Sequence, residues 1–137
     1  MQLILRKGLW SGRGSVLTEG ASLGQSITLD GEVVDELDGL TITGEISGSY
    51  SVPISVRVAP NEVGTYIIDA RLGKVALDGI AKLESEPNHA LLWHESGLVC
   101  GGGSVVSCGG GLGCRGFFRE EKGFLTWAMQ VQAQQQA

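Results

Sequence analysis

Apolar residues recur at every second position in many short runs of this chain. In Gly39-Leu40-Thr41-Ile42-Thr43-Gly44-Glu45-Ile46 they fall at 40, 42 and 46, with Gly44 where another would sit. In Pro53-Ile54-Ser55-Val56-Arg57-Val58 they fall at 54, 56 and 58. Successive side chains of a strand point to opposite faces, so each run predicts a strand with one face on a core and the other toward solvent. Runs of this kind, broken by Gly, Asn, Asp or Ser, predict strands at about 9–18, 25–35, 40–47, 51–59, 64–71, 74–83, 89–95, 98–107, 112–119 and 123–133. Long helical periodicity is missing almost everywhere.

The punctuation between the runs is turn chemistry. Asp30-Gly31 and Asp38-Gly39 supply residues that tolerate positive φ. Pro60-Asn61, Gly73-Lys74, Pro87-Asn88 and Lys122-Gly123 also read as turns. Tight turns leave no room for the crossover helices of a parallel sheet, so the order is an up-and-down meander. A twisted sheet of that many strands exposes long edges unless it closes. The expectation is therefore an all-β fold, a closed antiparallel up-and-down β-barrel of about ten strands; a two-sheet sandwich is the alternative. The barrel takes up residues 1–133 as one domain, with 134–137 a frayed Gln/Ala tail.

Composition narrows the function classes. The chain has 137 residues, 42% of them apolar, enough for a core of its own, and a net charge of −5. With no basic stripe, it lacks the footprint of a nucleic-acid binder and the polybasic surface that holds a protein to anionic lipid. The early apolar run Leu3-Ile4-Leu5 precedes Arg6 and Lys7, the reverse of a secretory signal, and no run approaches the ~20 residues of a membrane helix, so the expected location is the cytoplasm. Cys100, Cys108 and Cys114 are an odd number within one segment, which is no disulfide framework and reads as reduced thiols.

Near the start stands Gly8-Leu9-Trp10-Ser11-Gly12-Arg13-Gly14. Its Gly-x-Trp resembles the opening of the calycins, the superfamily of lipocalins and fatty-acid-binding proteins. The longer Gly-x-Trp-x-Gly-x-Gly is similar to nitrobindin-like bacterial relatives, and Phe124 to Val131 is similar to their last strand. The resemblance covers about a dozen residues firmly and implies a small closed barrel of about ten strands that holds a ligand. It also implies that Gly8, Trp10 and Gly12 seal one end, with Trp10 covered by an arginine from the last strands: Arg115 first, Arg119 second. The nitrobindin-like haem binders carry an axial His near the C-terminus. This chain has only His89 and His94, with none after them, so haem is not expected and no cofactor is implied.

Other chemistry is sparse. His89 and His94 are separated by an odd number of positions, so on a strand they cannot share a metal; His94, beside Trp93 and Glu95, is the better contact if one exists. The cysteine spacings of 8 and 6 do not match the close pairs of zinc sites, and the intervening Gly triplets read as turns or bulges of a hairpin. No nucleophile elbow or catalytic triad is readable, so the chain reads more as a binding protein than as an enzyme. The leading expectation is a barrel holding a small hydrophobic or amphipathic ligand. Tyr66, Trp93, Phe117 and Trp127 would supply wall area, and Arg13, Arg57 or Arg71 a polar anchor. The alternative is an interaction module with a filled barrel, forming a homodimer through one wall. An isomerase or cyclase of calycin type ranks third, because it needs an inward carboxylate or His with a partner.

Overall fold

The computed structural model describes residues 5–62 and 64–134. Ten strands follow one another: β1 (Gly8–Thr18), β2 (Gln25–Glu36), β3 (Gly39–Ser47), β4 (Ser51–Pro60), β5 (Tyr66–Leu72), β6 (Val75–Lys82), β7 (Asn88–Trp93), β8 (Cys100–Cys108), β9 (Gly111–Glu120) and β10 (Gly123–Ala133). Each pairs antiparallel with the next, and β1 pairs with both β2 and β10, so the sheet closes into a barrel with no free edge. This is the up-and-down barrel the alternation predicts, and the strand ends agree with the sequence to within two residues. Gln134 is still held to the sheet, its amide donating to the Leu9 carbonyl at 2.7 Å; the rest of the expected frayed tail, 135–137, lies outside the described residues.

Turn residues act where the chain reverses most sharply. The two-residue turn between β8 and β9 has Gly109 at φ 55° and Gly110 at φ 87°, both left-handed, as a turn matching the twist of a hairpin requires. Asp30-Gly31, by contrast, is no turn. It lies in the middle of β2, where Gly31 pairs with Gly44 of β3. A β-carbon on Gly44 would sit 2.3 Å from the Asp30 carbonyl oxygen and 2.7 Å from Gly31 Cα. The two glycines let β2 and β3 bend through a tight corner, which a barrel wall needs and a flat sheet does not. The first Gly triplet is likewise strand: Gly101, Gly102 and Gly103 pair with β7 on one side and β9 on the other.

Register divides each strand into an inward and an outward set. At one end of the barrel the inward set is fully buried: Trp10, Val33, Leu40, Val58, Tyr66, Ala81, Leu112 and Val131, with Leu83 from the β6–β7 connection. Ile68, Ala70 and Leu77 extend this core along β5 and β6. At the other end the inward residues are apolar but only partly buried, among them Val16, Ile27, Ile46, Val52, Leu72 and Leu125. The barrel therefore has a sealed end and an end where solvent reaches its inner wall.

The barrel interior and its two ends

The sealed end is built by segments that cross it. Trp10 projects inward from β1, and its Nε1 donates to the Arg6 carbonyl at 2.7 Å. Leu5 packs against the same core. The connection 83–87 folds in from the side. Leu83 is buried, and Glu84 accepts from Tyr66 Oη at 2.7 Å. Glu86 accepts from the Ser107 amide at 2.6 Å, which holds its carboxyl below the usual range. Lys82 Nζ donates to the carbonyls of Ser85 (2.8 Å) and Pro87 (3.0 Å). In the amide orientation that matches donors to acceptors, buried Asn88 donates to the carbonyls of Leu83 (3.1 Å) and Ser85 (3.2 Å). Burial, then the Glu84 carboxylate, pushes the Tyr66 hydroxyl up to about 12, so it remains a neutral donor.

Arg115 does not cover Trp10. Its position on β9 pairs with Ser104 and Ala128 on the outer wall, and it is exposed, as is Arg119. The Trp10 indole is instead held by the backbone carbonyl of Arg6, which the short motif around Trp10 does not reveal. Gly12 pairs with buried Val131 of β10. A β-carbon there would lie 2.4 Å from Val131 Cγ1, so only a bare position lets Val131 fill the space.

Of the expected ligand-lining residues, Tyr66 and Trp127 face inward, and the register does not bring them together. Tyr66 is in the sealed core. Trp127 lies across the inner wall in the partly buried half, flat over two bare positions. β-Carbons added at Gly103 or Gly116 would stand 2.6–2.9 Å from its ring. Arg13, Arg57 and Arg71 occupy outward positions and are exposed. The alternation of Ile54, Val56 and Val58 already assigns Arg57 to the opposite face, where it pairs across the strands with Asp69. Trp93 and Phe117 are also outward, 39% and 41% exposed. Each has an apolar neighbour in sequence, Leu92 and Phe118, that takes the inward place instead. Leu29, Ile42, Val56, Leu92, Phe118 and Met129 form the middle of the inner wall; of these, the sequence pattern places Ile42 and Val56 on a core face, but it picks out none as a ligand contact. Away from the strand ends, no charged side chain among the described residues stands at an inward position.

His89 projects from the outer wall to Ser104 Oγ at 3.1 Å, and His94 lies in the β7–β8 connection with Ser96 Oγ at 2.9 Å. Among the described residues no three His, Cys, Asp or Glu side chains are grouped to hold a metal ion. Cys100 and Cys108 share the outer face of β8, whereas Cys114, across the hairpin, faces inward. Burial pushes its thiol up to about 11. Outside the barrel, Arg6, Lys7, Asp35, Asp38, Leu40 and Tyr66 help line an open cleft of about 680 Å³ at the sealed end.

The geometry defines a class: a closed ten-stranded antiparallel barrel with a largely apolar inner wall, fully buried at one end and partly exposed at the other. No protein-family profile matches the chain, and no curated protein is significantly similar to it.

Proposed function

We propose that this is a calycin-like binding protein, not an enzyme, that takes a small hydrophobic or amphipathic ligand through the end opposite Trp10. The observation that carries this reading is the division of the interior. One half is a fully buried core, and the other is an inner wall of apolar side chains that keep contact with solvent. Apolar surface left wet inside a closed sheet is a standing source of binding energy. A ligand that removes ~300 Å² of it from water gains roughly 7 kcal/mol before the cost of association. The lack of inward charge along the middle of the wall favours a ligand whose polar end stays at the mouth, near Glu120 and the β7–β8 connection.

The test is titration with N-phenyl-1-naphthylamine, with native mass spectrometry of the freshly purified protein. Ile54→Asp places a charge on the inner wall near the mouth and should abolish probe uptake. Leu91→Glu changes only the outer wall and should leave uptake unchanged. Equal loss in both variants, or no uptake by the native protein, refutes an interior site.

A further inference from the structure

The outer wall carries an apolar row that the fold does not need. Ile67, Ile80, Leu91, Gly102 and Phe117 stand directly opposite one another across β5 to β9. The four with side chains are 41–50% exposed, and Trp93 lies beside Leu91 on the same face of β7. Each of these strands already supplies inward residues to the core or the inner wall, so the second apolar face adds nothing to the interior.

The charges beside the row are arranged unevenly. Toward the open end, Asp69 and Asp78 are a direct cross-strand pair of like charges. Such a pair is destabilising by itself. Arg57, opposite Asp69, offsets one of the two, and Asp78 has Trp93 on its other side. Toward the sealed end, Lys82 and His89 are paired. Asp78 and Lys82 thus stand on either side of Ile80 on one strand.

We propose that the protein forms a two-fold dimer through the outer wall of β5 to β8, with the symmetry axis lying along this row. That operation sets Ile67, Ile80 and Leu91 against their counterparts and carries each flank onto the opposite one. Asp78 then meets the partner's Lys82, twice per dimer, and the surplus negative charge is neutralised. An axis across the row would set the aspartate pair against itself, so one arrangement is selected. On β9 the same operation would oppose Arg115 and Arg119, so the contact ends near Gly102, where the convex wall turns away. Ile67, Ile80, Leu91 and Trp93 expose roughly 400 Å² of apolar surface. This is about half of the ~800 Å² that each partner commonly contributes, and the polar flanks supply the rest. The expected dimer is therefore weak, with a micromolar dissociation constant.

Sedimentation velocity of the full chain, from low micromolar to near-millimolar concentration, tests the proposal. The native protein should show a concentration-dependent dimer, and Leu91→Glu should be monomeric with an unchanged circular dichroism spectrum and melting temperature. Asp78→Lys and Lys82→Glu should each weaken association by at least about tenfold, and the double variant, which restores opposite charges across the axis, should recover most of it. A native protein that stays monomeric, a Leu91→Glu variant that still dimerises, or folded single variants without recovery in the double would overturn the proposal. So would a monomer that binds phosphatidylcholine–phosphatidylserine vesicles through Leu91, since the row would then serve a membrane surface.

Discussion

Gly113 and Gly116 lie three residues apart on β9 and have opposite surroundings. A β-carbon at Gly113 points outward, and its nearest neighbour is Cys108 Cβ at 3.7 Å, an ordinary contact. A β-carbon at Gly116 points inward, 1.9 Å from the Gly102 carbonyl oxygen and 2.6 and 2.8 Å from Trp127 Cζ2 and Cε2. Alanine restricts the unfolded chain at both sites and so contributes about 0.4–1 kcal/mol toward stability where it fits. Gly113→Ala should show that gain or no change. Gly116→Ala must move a strand carbonyl by about an ångström and tilt an indole, and overpacking of that kind costs about 1–3 kcal/mol. The net expectation is a loss of about 1–2 kcal/mol, or roughly 3–8 °C in melting temperature for a domain of this size. Urea unfolding followed by tryptophan fluorescence gives the free energies, and calorimetry the temperatures. Trp127→Ala combined with Gly116→Ala should relieve only part of the penalty, because the Gly102 carbonyl remains in the way. If the two glycine variants have equal stability, Trp127 does not lie over Gly116 and the inner wall is built differently.

Tyr66→Phe removes the donor to Glu84 and should cost about 1–2 kcal/mol at neutral pH by denaturant titration. With the folded-state hydroxyl raised to about 12 against an ordinary value near 10, the native state retains a proton that the unfolded chain has lost. Stability from this group is complete below pH ~10 and falls as pH rises toward ~12. Melting temperatures across that window should fall more steeply for the native protein than for Tyr66→Phe. Asn88→Ala leaves the Leu83 and Ser85 carbonyls without their donor and should cost about 1–3 kcal/mol, with faster amide exchange in 83–87 measured by mass spectrometry. With iodoacetamide at mildly alkaline pH, exposed Cys108 should be alkylated well before Cys114, whose raised and inward thiol reacts only slowly. Peptide mapping showing Cys114 modified first would contradict its placement on the inner wall.

Strand order and closure were legible because alternation, turn chemistry and the lack of helical runs all agree, and because a meander needs no long-range information to order its strands. Trp10 is buried in the core, and the partner of its indole was not readable from the sequence. The Arg6 carbonyl is a backbone group, and no side-chain pattern announces it. Gly31 and Gly44 were opaque for a related reason. An Asp-Gly pair marks a turn in most contexts, and only the pairing of two bare positions across neighbouring strands marks a barrel corner. For Arg57 the signal was present in the alternation of β4 and assigns it outward, whatever role is imagined for it.

Trp93 and Phe117 could not be placed from sequence, and the cause reaches beyond those two residues. In β5, β7 and β9 the chain runs Ile67-Ile68, Leu91-Leu92 and Phe117-Phe118. A doublet of large apolar residues satisfies either parity, so periodicity cannot say which member faces in. The register settles it: Ile68, Leu92 and Phe118 go inward, and Ile67, Leu91 and Phe117 go outward, where they align with one another through Ile80 and Gly102. The property that hides the inner wall in the sequence is therefore the one that produces the outer row. A barrel selected only to hold a ligand has no use for apolar residues on both faces of the same strands, since exposed ones invite association. In β5, β7 and β9 the outward members of the doublets line up through Ile80 and Gly102, whereas in β2 the outward member of Val33-Val34 stands opposite Thr41, and the other outward positions of β2 and β3 include Asp30, Glu32 and Glu45. That asymmetry between two arcs of one closed wall separates interior binding from self-association. Substitutions of Leu91 should alter only association, and those of Leu92 only the interior.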